Sequence, residues 1–343
     1  MRQAHLGTGP WRSAEPERDI IQWGSISVVY QLDQPNNGTI RVMSAAHPTT
    51  PGVRLAENDL WVYDESDNLM FRGRMLPQPL DVTPDSAKID FNLLDYRGLL
   101  DRRFLMSDVS HADVEQTEIA WSLIAHTQAQ PGGDLGITRG EMPATGQLRD
   151  RNYDAGDCVG QRLQELSNVS NGFQYEIDAE LKFNLWPDRR RQPAGYVLHL
   201  PGTVDYANIE SGIDRYYKAV VVTGDKSVVG PAVRTADDVA LAPEGRWEMA
   251  FAYSDVTNPS TLASHADGRL LDGQYLQRLF NLQIAPQLTY DAEFRPQVGD
   301  VAPVLIRWPS GEIETTVHVV SVDWFIEPTG GVRCTLSCAE DST

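Results

Sequence analysis

Three cysteines in 343 residues, Cys158, Cys334 and Cys338, are too few and too unevenly spaced for a disulfide framework. Cys334 and Cys338 lie four apart in a strand-like run and so share a face. No His and no second Cys pair accompanies them, so they read as buried thiols rather than metal ligands. Cationic residues are also scarce: 29 Lys and Arg against 48 Asp and Glu leave a net charge of −19. That argues against binding free nucleic acid through a basic patch. No run approaches eighteen apolar residues, so no membrane span is legible. The opening stretch MRQAHLGTGPWRSAEPERD lacks the apolar centre of a signal peptide. Without secretion, Asn37-Gly38-Thr39 and Asn168-Val169-Ser170 are chance matches to the glycosylation sequon.

Catalytic signatures are missing as well. There is no HExxH and no GxSxG. Thr223-Gly224-Asp225-Lys226-Ser227 follows a strand pattern but lacks the earlier glycine of a phosphate loop. Gly132-Gly133-Asp134-Leu135-Gly136 has no strand before it and no helix directly after it, so it reads as a structural turn. The seven histidines are scattered, and acid pairs such as Asp64/Asp67 and Asp237/Asp238 sit in turns rather than across a cleft. The chain therefore reads as a non-enzyme without cofactor, metal or catalytic residues.

What is present is enough apolar residue, 41%, for real cores, with only 22% charged. The length suggests two or three units. Residues 1–19 read as an extended arm. From 20 to about 91 the pattern is short strands: Ile26, Val28 and Tyr30 alternate, and Leu60, Val62 and then Leu69, Phe71 flank a turn at Asp64–Asn68. His47–Gly52 reads as a loop. The densest local signals come between 93 and 187. Ile119, Ala120, Leu123, Ile124 and Thr127 predict a helix over 115–128, with Asp113, Glu115 and Glu118 near its positive end. Val159, Leu163 and Leu166 predict a second helix over 155–169, with Asp154 as N-cap and Asn171-Gly172 as its stop. Phe173, Tyr175, Ile177 and then Leu181, Phe183, Leu185 predict a hairpin. Further on, Tyr196–Leu200 and the valine run of Lys218–Thr223 read as strands, the latter buried on both faces. Arg246–Tyr253 reads as a strand, and Asn258-Pro259 opens a helix to about Leu279. Gln283–Tyr290, Val301–Trp308, Thr315–Trp324 and Val332–Cys338 complete a second β region. In Thr315–Trp324, strict alternation puts Val317, Val319 and Ser321 on one face.

The Arg/Asp corners are the polar features of note: Asp95, Arg97, Asp101, Arg102 and Arg103, and then Arg149, Asp150 and Arg151. They read either as a solvated surface with weak pairs or as bidentate Arg–carboxylate bonds at domain or subunit seams. Arg189-Arg190-Arg191 is a basic loop cluster.

The middle of the chain resembles minor tail proteins of siphophages of actinobacteria. The resemblance lies in Trp121-Ser122-Leu123-Ile124, Gly132 through Thr138, Arg149 through Tyr153, and Leu166-Ser167 with Asn171-Gly172-Phe173. It is loose over both flanks. It implies a tail hub: a mainly β chain with two small β-barrel-like domains and a two-helix and hairpin α+β insertion. The domain boundaries are then an arm at 1–19, a discontinuous first barrel at 20–104 and 196–235, the insertion at 105–195, a connecting strand and helix at 236–282, and a second barrel at 283–343. The resemblance further implies a homotrimer at the distal end of a long non-contractile tail, joining the sixfold tube to a threefold tip. The implied partners are further copies of itself, the distal tail protein, the tape-measure protein and other tip proteins, with viral DNA only in transit. Its place would be the virion tail tip after synthesis in the host cytoplasm. For such a chain the net charge reads either as solubility or as an acidic lining along which DNA slides. A carbohydrate-binding or wall-hydrolysing tip protein is the alternative.

Overall fold

The computed structural model describes residues 5–10, 13, 15–20, 23–44, 58–64, 67–76, 80–83, 86–169, 171–187, 192–211, 216–225, 228–241, 245–253, 256–273, 278–289, 291, 294–327 and 331–341. The loop expected at His47–Gly52 and the cluster Arg189-Arg190-Arg191 lie outside these residues.

The first strands are β1 (His5–Pro10), β2 (Arg18–Ile20), β3 (Ser25–Gln31), β4 (Asn37–Ser44), β5 (Asn58–Tyr63), β6 (Leu69–Leu76), β7 (Leu80–Thr83) and β8 (Ser86–Leu94). Alternation builds them. Ile26 and Val28 are fully buried, while Ser27 and Val29 between and after them are half-buried. The sheet runs β3-β4-β8-β6-β5-β1-β2, antiparallel throughout. Leu6, Ile40, Leu60, Val62, Phe71 and Leu93 fill its core. The segment expected as an arm pairs all along β1 with β5, and Leu6 carries it into that core.

Next come α1 (Tyr96–Leu100), β9 (Val109–Glu115), α2 (Gln116–Gln128), β10 (Thr138–Arg139), β11 (Leu148–Tyr153), α3 (Val159–Ser167), β12 (Gln174–Ile177) and β13 (Lys182–Trp186). The five residues expected on one face of α2 are all buried. All but Thr127 share a core with Leu163 and Leu166 of α3 and with Tyr175, Phe183 and Leu185 of the β12–β13 hairpin. α3 starts later than its sequence pattern, with Cys158 rather than Asp154 as N-cap. The reason is local: Asp154 to Asp157 close a turn on themselves, and Gly156 has φ 96°, which no helix accommodates.

The remaining elements are β14 (Gln192–Pro193), β15 (Leu198–Leu200), β16 (Val204–Ser211), β17 (Ala219–Thr223), β18 (Ala232–Thr235), β19 (Glu248–Ala252), α4 (Pro259–Gly273), β20 (Arg278–Ile284), β21 (Asp300–Trp308), β22 (Gly311–Ile326) and β23 (Val332–Glu340). Here the chain departs from the expected return to the first barrel. β15 lies parallel to β21 and β16 antiparallel to β20, because Leu198 and Val204 belong to the core of Phe280, Val304, Val317 and Leu336. β17 joins neither large sheet. It is the centre of a separate sheet, β18-β17-β19, whose Val220 and Val222 pack on Leu262 and Ala266 of α4. Val221, expected to be buried too, is half-buried. α4 is described as far as Gly273, and Leu279 belongs to β20 rather than to the helix expected to reach it; a Cβ at Gly273 would lie 2.2 Å from the Tyr217 ring, so only glycine lets the helix pack there. β20 ends at Ile284 instead of running from 283 to 290. Pro286 has no N–H to offer a ladder, and a 3-10 turn follows.

β22 carries the architecture. Its first half pairs with β21 and its second half with β3, so one strand belongs to both halves of a continuous fifteen-stranded sheet, the first sheet around the Leu6 core and the second around the Phe280 core. A bulge between Val319 and Ser321 marks the changeover. It also inverts the alternation. Val317 and Val319 are buried before it, but Val322, Trp324 and Ile326 after it, so Ser321 does not continue the Val317–Val319 face.

Candidate functional site

Three cores meet around one cavity of about 450 Å³. It is walled by β3 and the turn after it, by β6, by β12 and its turn, and by β22. Tyr30 packs against both large-sheet cores and donates its hydroxyl to the Met70 carbonyl. Arg295 reaches Asp64 at 3.4 Å, and Gln174 donates to Asp33 at 3.2 Å, so the second sheet and the α+β module are each tied to the first.

Asp95 and Arg97 come together here. Asp95 is buried as the N-cap of α1. One oxygen accepts the Gly98 N–H at 2.7 Å and the other the Asn36 N–H at 2.7 Å. Burial pushes its carboxyl up to about 7, against the pull of those two donors and of Arg97. Arg97 is buried too. It donates to the Tyr175 carbonyl at 3.0 Å and to Gln164 at 2.8 Å, with its guanidinium 4.1 Å from the Tyr175 ring centroid. It thus binds α1 to both α3 and β12, through a carbonyl and an amide rather than a carboxylate.

The other residues of that corner lie apart. Asp101 and Arg102 are exposed beyond α1, and burial still raises the Asp101 carboxyl. Arg103 is half-buried, and its carbonyl accepts the Val159 N–H at 2.8 Å. The second group sits on β11. Arg149 donates to Gln116 at 3.3 Å, Asp150 accepts the Asp113 N–H at 2.8 Å, and Arg151 donates to the Asp150 carbonyl at 2.9 Å. Burial and the neighbouring Arg151 lower the Arg149 pKa. Both arginines lie within electrostatic reach of α4. His265 there is buried and stacked 4.1 Å from Tyr253, and its pKa is held down to about 4 by burial and by Arg151, Arg269 and Arg149.

One buried cluster was not singled out in the sequence. Asp59 on β5 is fully buried and binds Arg72 at 2.9 Å, Arg74 at 3.1 Å and the Tyr96 hydroxyl at 2.5 Å. Arg72 stacks 4.6 Å from Trp61 and donates to the Ser13 carbonyl at 3.0 Å. The available signal was opposite charges set inside the apolar strands NDLWVY and LMFRGRML. Among the described residues no cluster of His, Cys, Asp and Glu fits a metal ion, and no helix is long and apolar enough to cross a membrane.

No family model and no curated protein matches the sequence. Solved structures do match. A 43 kDa tail protein of prophage MuSo2 from Shewanella oneidensis aligns with TM-score 0.69 at 12% identity, over 98% of this chain and 97% of that one. A tail protein from Neisseria meningitidis aligns with TM-score 0.67 at 13% identity, over 99% and 97%. The chain has the fold of phage tail proteins. The mainly β, hub-like architecture expected from the sequence is therefore the one found. The fold extends to an E. coli type VI secretion component described as structurally similar to T4 tail proteins gp27 and gp5. That structure aligns with TM-score 0.56 at 14% identity, over 94% of this chain and 74% of that one.

Proposed function

We propose that this chain is a structural protein of a phage tail: the homotrimeric hub at the distal end of a long non-contractile tail, in a siphophage of actinobacteria. The observation that carries the tail role is the fold match to two tail proteins over nearly the whole of both chains. The hub assignment adds the sequence resemblance in the middle of the chain. The two halves of the sheet that share β22 would be the two barrel-like units of each subunit, so three subunits would place six around a ring. The ring would bind the distal tail protein above and the tape-measure and tip proteins within and below. Viral DNA would meet it only in transit, past a chain of net charge −19. The role is geometric rather than catalytic, exercised at the virion tail tip after synthesis in the host cytoplasm. Exposed Tyr206, Trp247 and Trp308 are apolar surface that such assembly would cover.

Light scattering on the purified chain, with negative-stain images of the same fractions, tests the reading. A threefold ring with a central hole is expected. A monodisperse monomer at high concentration overturns self-assembly of the hub and brings glycan-binding and wall-hydrolysis assays forward.

A further inference from the structure

The chain carries a net charge of −19, yet one seam collects positive charge. Burial alternates along β11, so Arg149 and Arg151 share its inner face, both half-buried. His265 and Arg269 stand four apart on α4 and share a face of that helix. Arg269 donates from Nε to the Tyr253 hydroxyl at 2.9 Å and lies 4.6 Å from the Phe251 ring centroid, while Tyr253 stacks 4.1 Å from His265. The cations of β11 and of α4 meet at His265, whose imidazole feels Arg151, Arg269 and Arg149 together.

Two of these guanidiniums have only neutral acceptors. Among the described residues Arg151 donates to the Asp150 carbonyl and Arg269 to the Tyr253 hydroxyl, and neither is paired with a carboxylate. Nearby acids are engaged elsewhere: Asp150 accepts the Asp113 N–H, Glu115 accepts from Thr145, and Asp267 is bound by Arg234. A buried donor is left over as well. His265 is 2% exposed, and its Nδ1 has no hydrogen-bond partner among the described residues. In the neutral ring the proton can sit on Nδ1, which then donates. A water could bond to that nitrogen, but only an anion also offsets like charges gathered around a buried group.

We propose that this seam binds a small oxyanion of the phosphate class, held by Arg151 of β11 and Arg269 of α4 with Nδ1 of His265 as a further donor. A tetrahedral dianion brings several acceptor oxygens and two negative charges, and the planar fork of a guanidinium matches its edge. Bound there, the ion would clamp the α+β module to the unit built on α4. The inference does not rest on the hub reading, because every residue involved belongs to one chain.

Equilibrium dialysis of the full chain against radiolabelled inorganic phosphate tests the site, near neutral pH and with ionic strength held constant by chloride. Saturable uptake of one phosphate per chain is expected. Arg151→Gln and Arg269→Gln should each weaken it at least about tenfold, and His265→Phe, which keeps a ring on Tyr253, about threefold. Arg307→Gln, at an exposed arginine of β21, should leave uptake unchanged. Arg269→Gln also gives up the Tyr253 bond; if it fails to fold, Arg151→Gln carries the test, since it gives up only a backbone carbonyl. No saturable uptake, or uptake undiminished in Arg151→Gln, overturns the site. An equal loss in Arg307→Gln would mean attraction to surface cations at large, which overturns it too. Displacement of the phosphate by a short oligothymidylate would make the occupant a nucleic-acid backbone and overturn the free ion.

Discussion

The two large sheets that share β22 are closed by opposite means. The first buries charge. One carboxylate, Asp59, holds β5, β6 and α1 together through Arg72, Arg74 and Tyr96, and Arg72 in turn fixes residue 13. The second is dry. Phe280, Leu282, Val304, Val317 and Leu336 surround Cys334 and Cys338, and burial drives both thiols well above their usual range, so they stay protonated and inert. A buried ion cluster adds little net stability over well-packed apolar groups but tolerates the loss of a partner badly; a dry core weakens in proportion to the volume removed. The polar cluster is therefore read here as a positioning device and the apolar core as a source of stability.

The sharpest break between the two is expected from Asp59→Ala. It removes the carboxylate shared by the buried Arg72 and the half-buried Arg74 and should cost about 3–5 kcal/mol, measured by urea denaturation. Proteolysis within the first twenty residues should rise in step, because β1 and the Ser13 contact depend on the same cluster. In the second sheet, Cys338→Ser places a hydroxyl where the thiol was and should cost about 1–3 kcal/mol, whereas Cys338→Ala should leave the chain folded with a smaller loss. If both cysteine variants matched Asp59→Ala, the contrast between the sheets would fail. At the seam, Arg97→Lys retains the charge but not the fork that reaches the Tyr175 carbonyl and Gln164 together. A loss of about 1–2 kcal/mol is expected in the same assay.

The sequence showed these regions unequally. Local period and turn residues made α2 and the β12–β13 hairpin legible, because a helix face or a tight turn is specified within a few residues. The partner of a strand is not. Nothing in the chain near Leu198 or Val204 says that their core lies far along the chain, at Phe280 and Val304. Nor does alternation alone reveal the bulge at Val320 that turns β22 from one sheet to the other. Asp95 and Arg97 stood out as an Arg/Asp corner, yet Arg97 bridges to a carbonyl on β12, which no charge pattern encodes. The pairing of Asp59 with Arg72 and Arg74 is not legible in the sequence, since pairing across a hairpin requires the register to be known first.

Two buried groups sharpen the comparison further through pH, with opposing signs. His265 is held down to about 4 in the fold, against an ordinary 6.5. Its contribution is complete above 6.5 and is lost as pH falls towards 4, where the unfolded chain takes up a proton that the folded chain resists. Asp95 is pushed up to about 7 from 3.8. Its contribution is complete below 3.8 and is lost as pH rises through 7, where the unfolded chain releases a proton that the folded chain holds. Between about pH 4.5 and 6.5 the two slopes offset each other, so the parent chain should show the smallest effect of all. Removing either group exposes the other. His265→Phe keeps a ring on Tyr253 and should make stability fall with rising pH relative to the parent. Asp95→Asn should make it rise. Urea midpoints of the three proteins at pH 4.5 and 6.5 decide the matter: diverging lines support both assignments, and a variant parallel to the parent shows that the residue it replaces does not titrate differently on folding.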